Sequence, residues 1–320
     1  MNETALTLRA FNALFPDEDA ARAWFECARW PDGPTCYHCG TIGDAAYMPK
    51  TKFWHCKACK GQFSVTAGTP MHCTHLPLLT WAQAIYLIIT SSKGISAVMK
   101  LSEMLGVSYE TAWRLGHRIR AMMAENSPLL SNIVEIGEMY AGASPRKRAK
   151  PEREDDDPPP PNPKGRGTKR PLVLVAAERG GDVVAKVIPT HGKEAIASAL
   201  DGVLDPEATV MTDSLPAYKH IGKRQTHLSV NHSDREYART DDVTGHRVHV
   251  NRVKSFNGFM RRAVIGVWHQ ISVKHLGRYA SEVTFRWNRK ADACLDRMAQ
   301  MVKNGEARLL PYAVLTAKAA

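Results

Sequence analysis

The chain has 320 residues, 44% of them hydrophobic, enough for two or three domains with their own cores. No apolar run reaches the roughly eighteen residues of a membrane-spanning helix, and the N-terminus lacks the basic-then-apolar pattern of a signal peptide, so neither a membrane span nor secretion is supported and a cytoplasmic, nucleoid-associated location is expected. The formal net charge of +11 points to a polyanionic partner, and the placement of that charge along the chain matters more than its sum.

Residues 10–30 carry an amphipathic helical pattern (Phe11, Leu14, Ala20, Trp24, Phe25) that closes at the turn Trp30-Pro31-Asp32-Gly33. Two Cys-x-x-Cys pairs follow, Cys36/Cys39 and Cys56/Cys59, with sixteen residues between them. Each pair sits on a short turn whose two sulfurs can face one ion, so the spacing reads as a closed tetrahedral Zn²⁺ site of structural type, a zinc ribbon. Redox Cys-x-x-Cys motifs normally come singly and beside a βαβ pattern. Phe53-Trp54-His55 reads as a short strand, and so does Phe63-Ser64-Val65-Thr66 before the break at Gly68-Thr69-Pro70. His38, His55, His72 and His75 read as surface or nucleic-acid-facing groups, not ligands, while Cys27, Cys73 and Cys294 need no partner in a reducing cytosol.

A helix is expected from Leu78 to about Thr90. Next, Ser96 caps a short helix through Ala97, Val98, Leu101, Met104 and Leu105. Gly106-Val107 makes a turn, and Ser108 caps a second helix through Trp113, Leu115, Ile119 and Met122. Helix, glycine-bearing turn and helix give a helix-turn-helix whose second helix would lie in the major groove of double-stranded DNA, with Tyr109, Glu110, Arg114, His117 and Arg118 on or near its exposed side. A plain αα-hairpin is the alternative.

From Ile133 the hydrophobic period becomes two. Strands are expected over Ile133–Tyr140, Leu172–Glu178, Val183–Ile188 and Thr209–Thr212, with a helix from about Lys193 to Val203. Ser144 to Arg170 holds seven prolines, nine Lys/Arg and an acidic run, and is expected as a disordered excursion between paired strands. Strands, then helix, strand and C-terminal helices form an α/β order compatible with an RNase-H-like sheet. From Arg252 to Lys290 nine Lys/Arg and one acidic residue, Glu282, interleave with Phe256, Trp268, Tyr279 and Trp287 on helical segments, a basic stripe suited to phosphates. Arg252, Arg261, Arg262, Lys274 and Arg278 are its candidate DNA contacts.

Together these blocks resemble bacterial insertion-sequence transposases that join an N-terminal zinc ribbon and a helix-turn-helix to an RNase-H-like DDE domain. The resemblance rests on the order of Arg29-Trp30-Pro31-Asp32-Gly33, Ser92-Lys93-Gly94-Ile95-Ser96, Ala112-Trp113-Arg114, Gly165-Arg166-Gly167, Thr212-Asp213, Ala217-Tyr218 and Val230-Asn231-His232-Ser233. It continues with His249 and Asn251, Ser272-Val273-Lys274-His275-Leu276, Arg278-Tyr279 and Phe285-Arg286-Trp287-Asn288. It implies a multidomain protein: helix and zinc ribbon over 1–75, helix-turn-helix over 76–128, RNase-H-like domain over 129–292 with the insertion 144–170, and a tail over 293–320. It also implies DNA strand transfer by two Mg²⁺ ions and a homo-oligomer on DNA, with the element ends as substrate.

Family members hold these ions with an Asp on the first strand, an Asp after the fourth, and an acidic or amide residue on the following helix. Here Gly137 and Lys254 occupy the first and third positions, and Asp213 the second. Glu138 should point to the opposite strand face, and Glu135 shares the face of 137 but lies two residues back, about 6.5–7 Å along the strand. Asn251, Asp241 and Asp242 are the other candidate oxygen donors, and Lys254 could pair with Asp213 in place of a metal. Three readings follow: a transposase by ancestry with impaired chemistry, an active one with unorthodox ligands, and a non-catalytic DNA-binding regulator or chromosome-associated protein built on the same scaffold.

Overall fold

The structure, a computed structural model, describes residues 6–96, 100–126, 129–141 and 170–317. Ala97 and Val98 of the helix expected after Ser96, and the insertion 144–170 apart from Arg170, lie outside these. The chain divides into two compact units, Met1–Asn126 with Ser281–Ala320, and Ser127–Ala280. Among the described residues no helix is long and apolar enough to cross a membrane.

The single helix expected over 10–30 is two, α1 (Leu8–Leu14) and α2 (Glu18–Arg29). Pro16 lacks an amide donor, and the Asp17 side chain starts α2 afresh by accepting from Ala20 N at 2.8 Å. The ribbon follows as β1 (Ala45–Met48), β2 (Phe53–Cys56) and β3 (Gln62–Phe63), an antiparallel sheet in which Trp54 stands opposite both Tyr47 and Phe63. The strand expected over Phe63–Thr66 stops at Phe63, because the chain turns there, Ala67 N donating to Ser64 O at 3.0 Å. Helix α3 (Leu78–Thr90) has Pro77 at its start and no local cap. The Glu18 carboxylate takes that role, accepting from Leu78 N and Leu79 N at 2.8 and 2.9 Å. Next come α4 (Ser102–Leu105), Gly106 in the left-handed region (φ 62°), and α5 (Tyr109–Met122) with Ser108 accepting from Thr111 N.

In the second unit β4 (Ile133–Tyr140), β5 (Leu172–Glu178), β6 (Val183–Ile188), β7 (Thr209–Asp213) and β8 (His227–Val230) form one sheet in the order β6-β5-β4-β7-β8. β5 runs antiparallel to β4 and β6, while β4, β7 and β8 are mutually parallel, which is the RNase-H-like arrangement expected. Alternation along β4 sorts its side chains. Val134 and Ile136 pack with Ile196 and Leu200 of α6 (Lys193–Leu200) and with Tyr218 of a 3-10 helix, Pro216–Lys223. The opposite face carries Met211 and Val230 against Val248 and Val250. A short hairpin, β9 (Arg239–Thr240) and β10 (Arg247–Val248), leads into α7 (Asn251–Ala263), which packs on β4 and β5.

A π-helical turn, Val264–Trp268, precedes α8 (Val273–Asn288), within which the division between the units falls. Residues 293–320, expected as a tail, contain α9 (Cys294–Asn304) and α10 (Tyr312–Thr316). Cys294, Met298, Met301 and Val302 of α9 share one core with Phe25, Phe63, Trp81 and Ile119. Ribbon, helices and C-terminal segment therefore share one core. Ion pairs fasten it: Arg29 to Glu306 at 2.8 Å, and Arg120 to Glu282 at 2.7 Å with both side chains at most 1% exposed.

Candidate functional site

In the first unit the four cysteine sulfurs converge, all within 4.8 Å of one another. Cys36 Sγ lies 3.6 Å from Cys59 Sγ, and Cys39 Sγ lies 3.7 Å from Cys56 Sγ. A tetrahedron with metal–sulfur bonds of about 2.3 Å has edges of about 3.8 Å, so the cluster has the size of a Zn²⁺ site. The thiols are not equivalent. Cys39 is drawn down to about 6, first by the Thr41 hydroxyl and then by the Thr41 amide. Cys59, against the pull of the Gly61 N–H, is pushed up to about 12 by desolvation and the neighbouring sulfurs. Among the described residues this is the only group of three or more His, Cys, Asp or Glu within ligand distance of a common ion.

The sheet edge of the second unit is built differently. β4 and β7 pair through Glu135 and Met211, so two residues further on Gly137 stands level with Asp213 on the same face. Neighbouring strands are about 4.8 Å apart, the separation at which two carboxylates could share ions. Gly137 offers none, and α7 closes over it: a Cβ placed there would meet Val253 Cγ1 at 3.1 Å. Asp213 accepts from Leu215 N at 3.2 Å. Lys254, expected to pair with Asp213, instead holds its ammonium over the Tyr237 ring, 5.5 Å from the centroid. Asn251 is exposed at the start of α7, and its backbone N–H donates to His249 Nδ1 at 3.4 Å.

The neighbouring carboxylates are committed elsewhere. Glu135, 0% exposed, receives Arg179 Nε at 2.8 Å, lies 3.1 Å from His249 Nδ1, and accepts from Arg252 N at 2.7 Å, capping α7 where Val250 supplies no side-chain cap. Burial holds His249 below its usual range, aided by the Arg179 charge and opposed by Glu135. Glu138 points to the other face, as alternation requires, and accepts from the Tyr218 hydroxyl at 2.8 Å. Its second oxygen lies 3.2 Å from His191 Nδ1, and His191 Nε2 lies 2.8 Å from the Tyr140 hydroxyl. Burial, then the Glu138 charge, keeps the Tyr218 proton in place far above the ordinary phenol range. Asp241 is fixed in the β9–β10 turn by Thr244 and Arg239, which lower it to about 2. The donor set at this edge, with Asp213 level with Gly137 and Glu135, Glu138 and Asp241 bound to other partners, does not fit a pair of Mg²⁺ ions, which needs several oxygen ligands at each ion.

The expected DNA contacts divide. Tyr109 and Arg114 on α5 are exposed; Arg114 stacks on Tyr312 at 4.1 Å and meets Glu110 at 3.5 Å. Arg118 is half-buried. His117 is not on the exposed side: it is 0% exposed, with its ring against Trp113, because α5 buries a broad face that also takes in Arg120. Arg261 and Arg262 are exposed on α7, whereas Lys274 and Arg278 are half-buried, Arg278 lying 2.8 Å from His275 Nδ1. Arg252 bonds to Gly181 O. Of the stripe, Arg286 is buried beside Glu282. Sequence reasoning missed Arg179, His191 and Tyr218 as site-organising groups; Arg179 reads as a turn residue before Gly180-Gly181, and nothing local marks its partner forty-four residues earlier.

Residues 129–288 match the family described as ISXO2-like transposase domain, and residues 16–62 match the transposase zinc-ribbon domain. No curated protein matches the chain. Two solved structures overlap it: "Mos1 transposase paired-end complex with left transposon end" (11% identity, 71% of this chain and 79% of that one, TM-score 0.24), and "Crystal structure of the Mos1 Strand Transfer Complex" (11%, 70% and 78%, TM-score 0.26).

Proposed function

Since the chain belongs to the ISXO2-like transposase family, whose match covers 160 of its 320 residues (129–288), we propose that it is a transposase-derived DNA-binding protein whose strand-transfer chemistry is impaired. The observation that carries this reading is Gly137, which extension of the β4–β7 register puts level with Asp213 and whose missing Cβ would meet Val253 Cγ1 at 3.1 Å: the place of the first metal-binding carboxylate holds no side chain. Lys254 adds a positive charge one turn into α7, where a further ligand is expected in the family. Neither Glu135 nor Glu138 replaces the missing ligand, because each is bound to partners of its own.

The ribbon cysteines hold one structural Zn²⁺, which supplies cross-linking to a three-stranded sheet of ten residues and no chemistry. DNA contact falls to exposed cations and hydrogen-bonding groups: Tyr109 and Arg114 on α5, Arg261 and Arg262 on α7. The guanidiniums neutralise phosphates, and the N-terminal residues of α5 are placed to read bases. A regulator built on a transposase scaffold is the companion reading, favoured by the same retention of basic groups beside an incomplete carboxylate set.

The test is cleavage and joining of the element's own DNA ends in Mg²⁺ or Mn²⁺. The native chain is expected to bind these ends and leave them intact. Metal-dependent cleavage by the native chain, abolished by Asp213→Ala, overturns the reading.

A further inference from the structure

The buried group beneath the sheet edge supports a second conclusion, which rests on the reading that no metal pair forms there. We infer that the Arg179 guanidinium is the resident cation of this site: it neutralises buried Glu135 and so docks the start of α7 on β4 without any divalent ion.

Glu135 is 0% exposed, and a carboxylate so buried needs a counter-charge and hydrogen bonds to remain ionised. Two backbone amides of α7 supply bonds, Arg252 N at 2.7 Å and Val253 N at 3.4 Å. Among the described residues the permanent counter-charge within bonding distance is Arg179, with the His249 ring, held below its usual range by burial, at 3.1 Å from the same Glu135 oxygen, while Arg252 is turned to Gly181 O and Lys254 to Tyr237. The fork is used on every side. Nε goes to Glu135 at 2.8 Å, Nη1 to Arg247 O at 2.8 Å, and Nη2 to His249 O at 3.1 Å and Met211 Sδ at 3.1 Å. One planar group thereby joins β4, β7, β10 and the residues leading into α7. An ammonium, with its compact charge, could not span that set. In a metal-dependent site the ions draw together the elements that carry the ligands. Here the guanidinium holds them, which makes Arg179 a positioning residue and leaves α7, with Arg261 and Arg262, in place whether or not metal is present.

The experiment is amide hydrogen exchange on the full chain, free of DNA, so that it reads docking of α7 and not binding or cleavage. Protection of the Arg252 and Val253 amides should be the same in EDTA and in Mg²⁺. In Arg179→Ala it should fall on the order of a hundredfold while β5 and β6 stay protected, and methylguanidinium should restore it where methylammonium does not. Wild-type protection that collapses in EDTA, an Arg179→Ala variant with no loss, or recovery by Mg²⁺ in place of methylguanidinium overturns the inference. Should Arg179→Ala not fold, the neutral pair Arg179→Met with Glu135→Gln is the probe. It should fold and keep both amides protected to within about tenfold of wild type, since both charges leave together; a double variant that also fails to fold or to protect them overturns the inference.

Discussion

Gly137 shows how one missing side chain reshapes a site. Because a Cβ there would sit 3.1 Å from Val253 Cγ1, Gly137→Asp does more than add a ligand; it pushes on α7. Gly137→Asp is expected to cost on the order of 1–3 kcal/mol, measured by denaturant unfolding, with part of the loss recovered when Val253→Ala is added. Metal-dependent cleavage is accordingly expected only when Gly137→Asp, Lys254→Glu and Val253→Ala are combined, and activity from Gly137→Asp alone would contradict this. At the other site, Cys36→Ser with Cys39→Ser should remove one zinc from the native mass spectrum and loosen the ribbon strands. Asp241 supplies a pH signature. Its folded pKa is depressed to about 2, so the stabilisation it gives the β9–β10 turn is full above its unfolded value near 4 and lost as pH falls through 2. The Thr244 amide shift should therefore stay flat from neutral pH down to about 4 and move only below it. The cysteine ligands were legible in the sequence because two Cys-x-x-Cys pairs state their own spacing. His117 was misread because its neighbours on the helix look polar. Arg120, a turn away, is buried against a glutamate 162 residues later, and no local pattern announces such a partner.

Secondary elements with a strong period were legible too: Leu78–Thr90, Ile133–Tyr140, Leu172–Glu178 and Val183–Ile188 fall where periodicity puts them. β9 and β10 were not, since two-residue strands carry no period, and β8 holds only four residues. The starts of α3 and α7 share a device that sequence cannot show. Pro77 and Val250 cannot cap, and each helix borrows a carboxylate from a distant element, Glu18 in one case and Glu135 in the other. Glu18→Ala should accordingly destabilise the first unit by about 1 kcal/mol, as Ser108→Ala should at the start of α5, both read by thermal unfolding. An unchanged melting temperature in Glu18→Ala would mean that water replaces the carboxylate without loss.

For the whole molecule, DNA affinity should fall steeply with salt, each phosphate contact adding about 0.9 to the slope of log affinity against log salt concentration. Arg261→Ala with Arg262→Ala should lower that slope and weaken all sequences alike, whereas Arg114→Ala should also relax any sequence preference. An unchanged slope in the double variant would remove α7 from the DNA-binding surface. The core shared by Phe25, Trp81, Met298 and Val302 makes a different prediction: a chain ending at residue 292 loses the wall against which the N-terminal helices pack. Limited proteolysis of that truncated chain should digest residues before 126 while sparing a fragment near 170–280. The same division of the chain sets a timetable during synthesis. The sheet unit is continuous in sequence and can finish folding while the ribosome is still at work. The ribbon and its helices leave the ribosome before the sheet unit, yet they wait for α9, made after that unit, before their core closes. Cys36 and Cys56 belong to that core, so the interval leaves their pairs able to take up an ion before it closes.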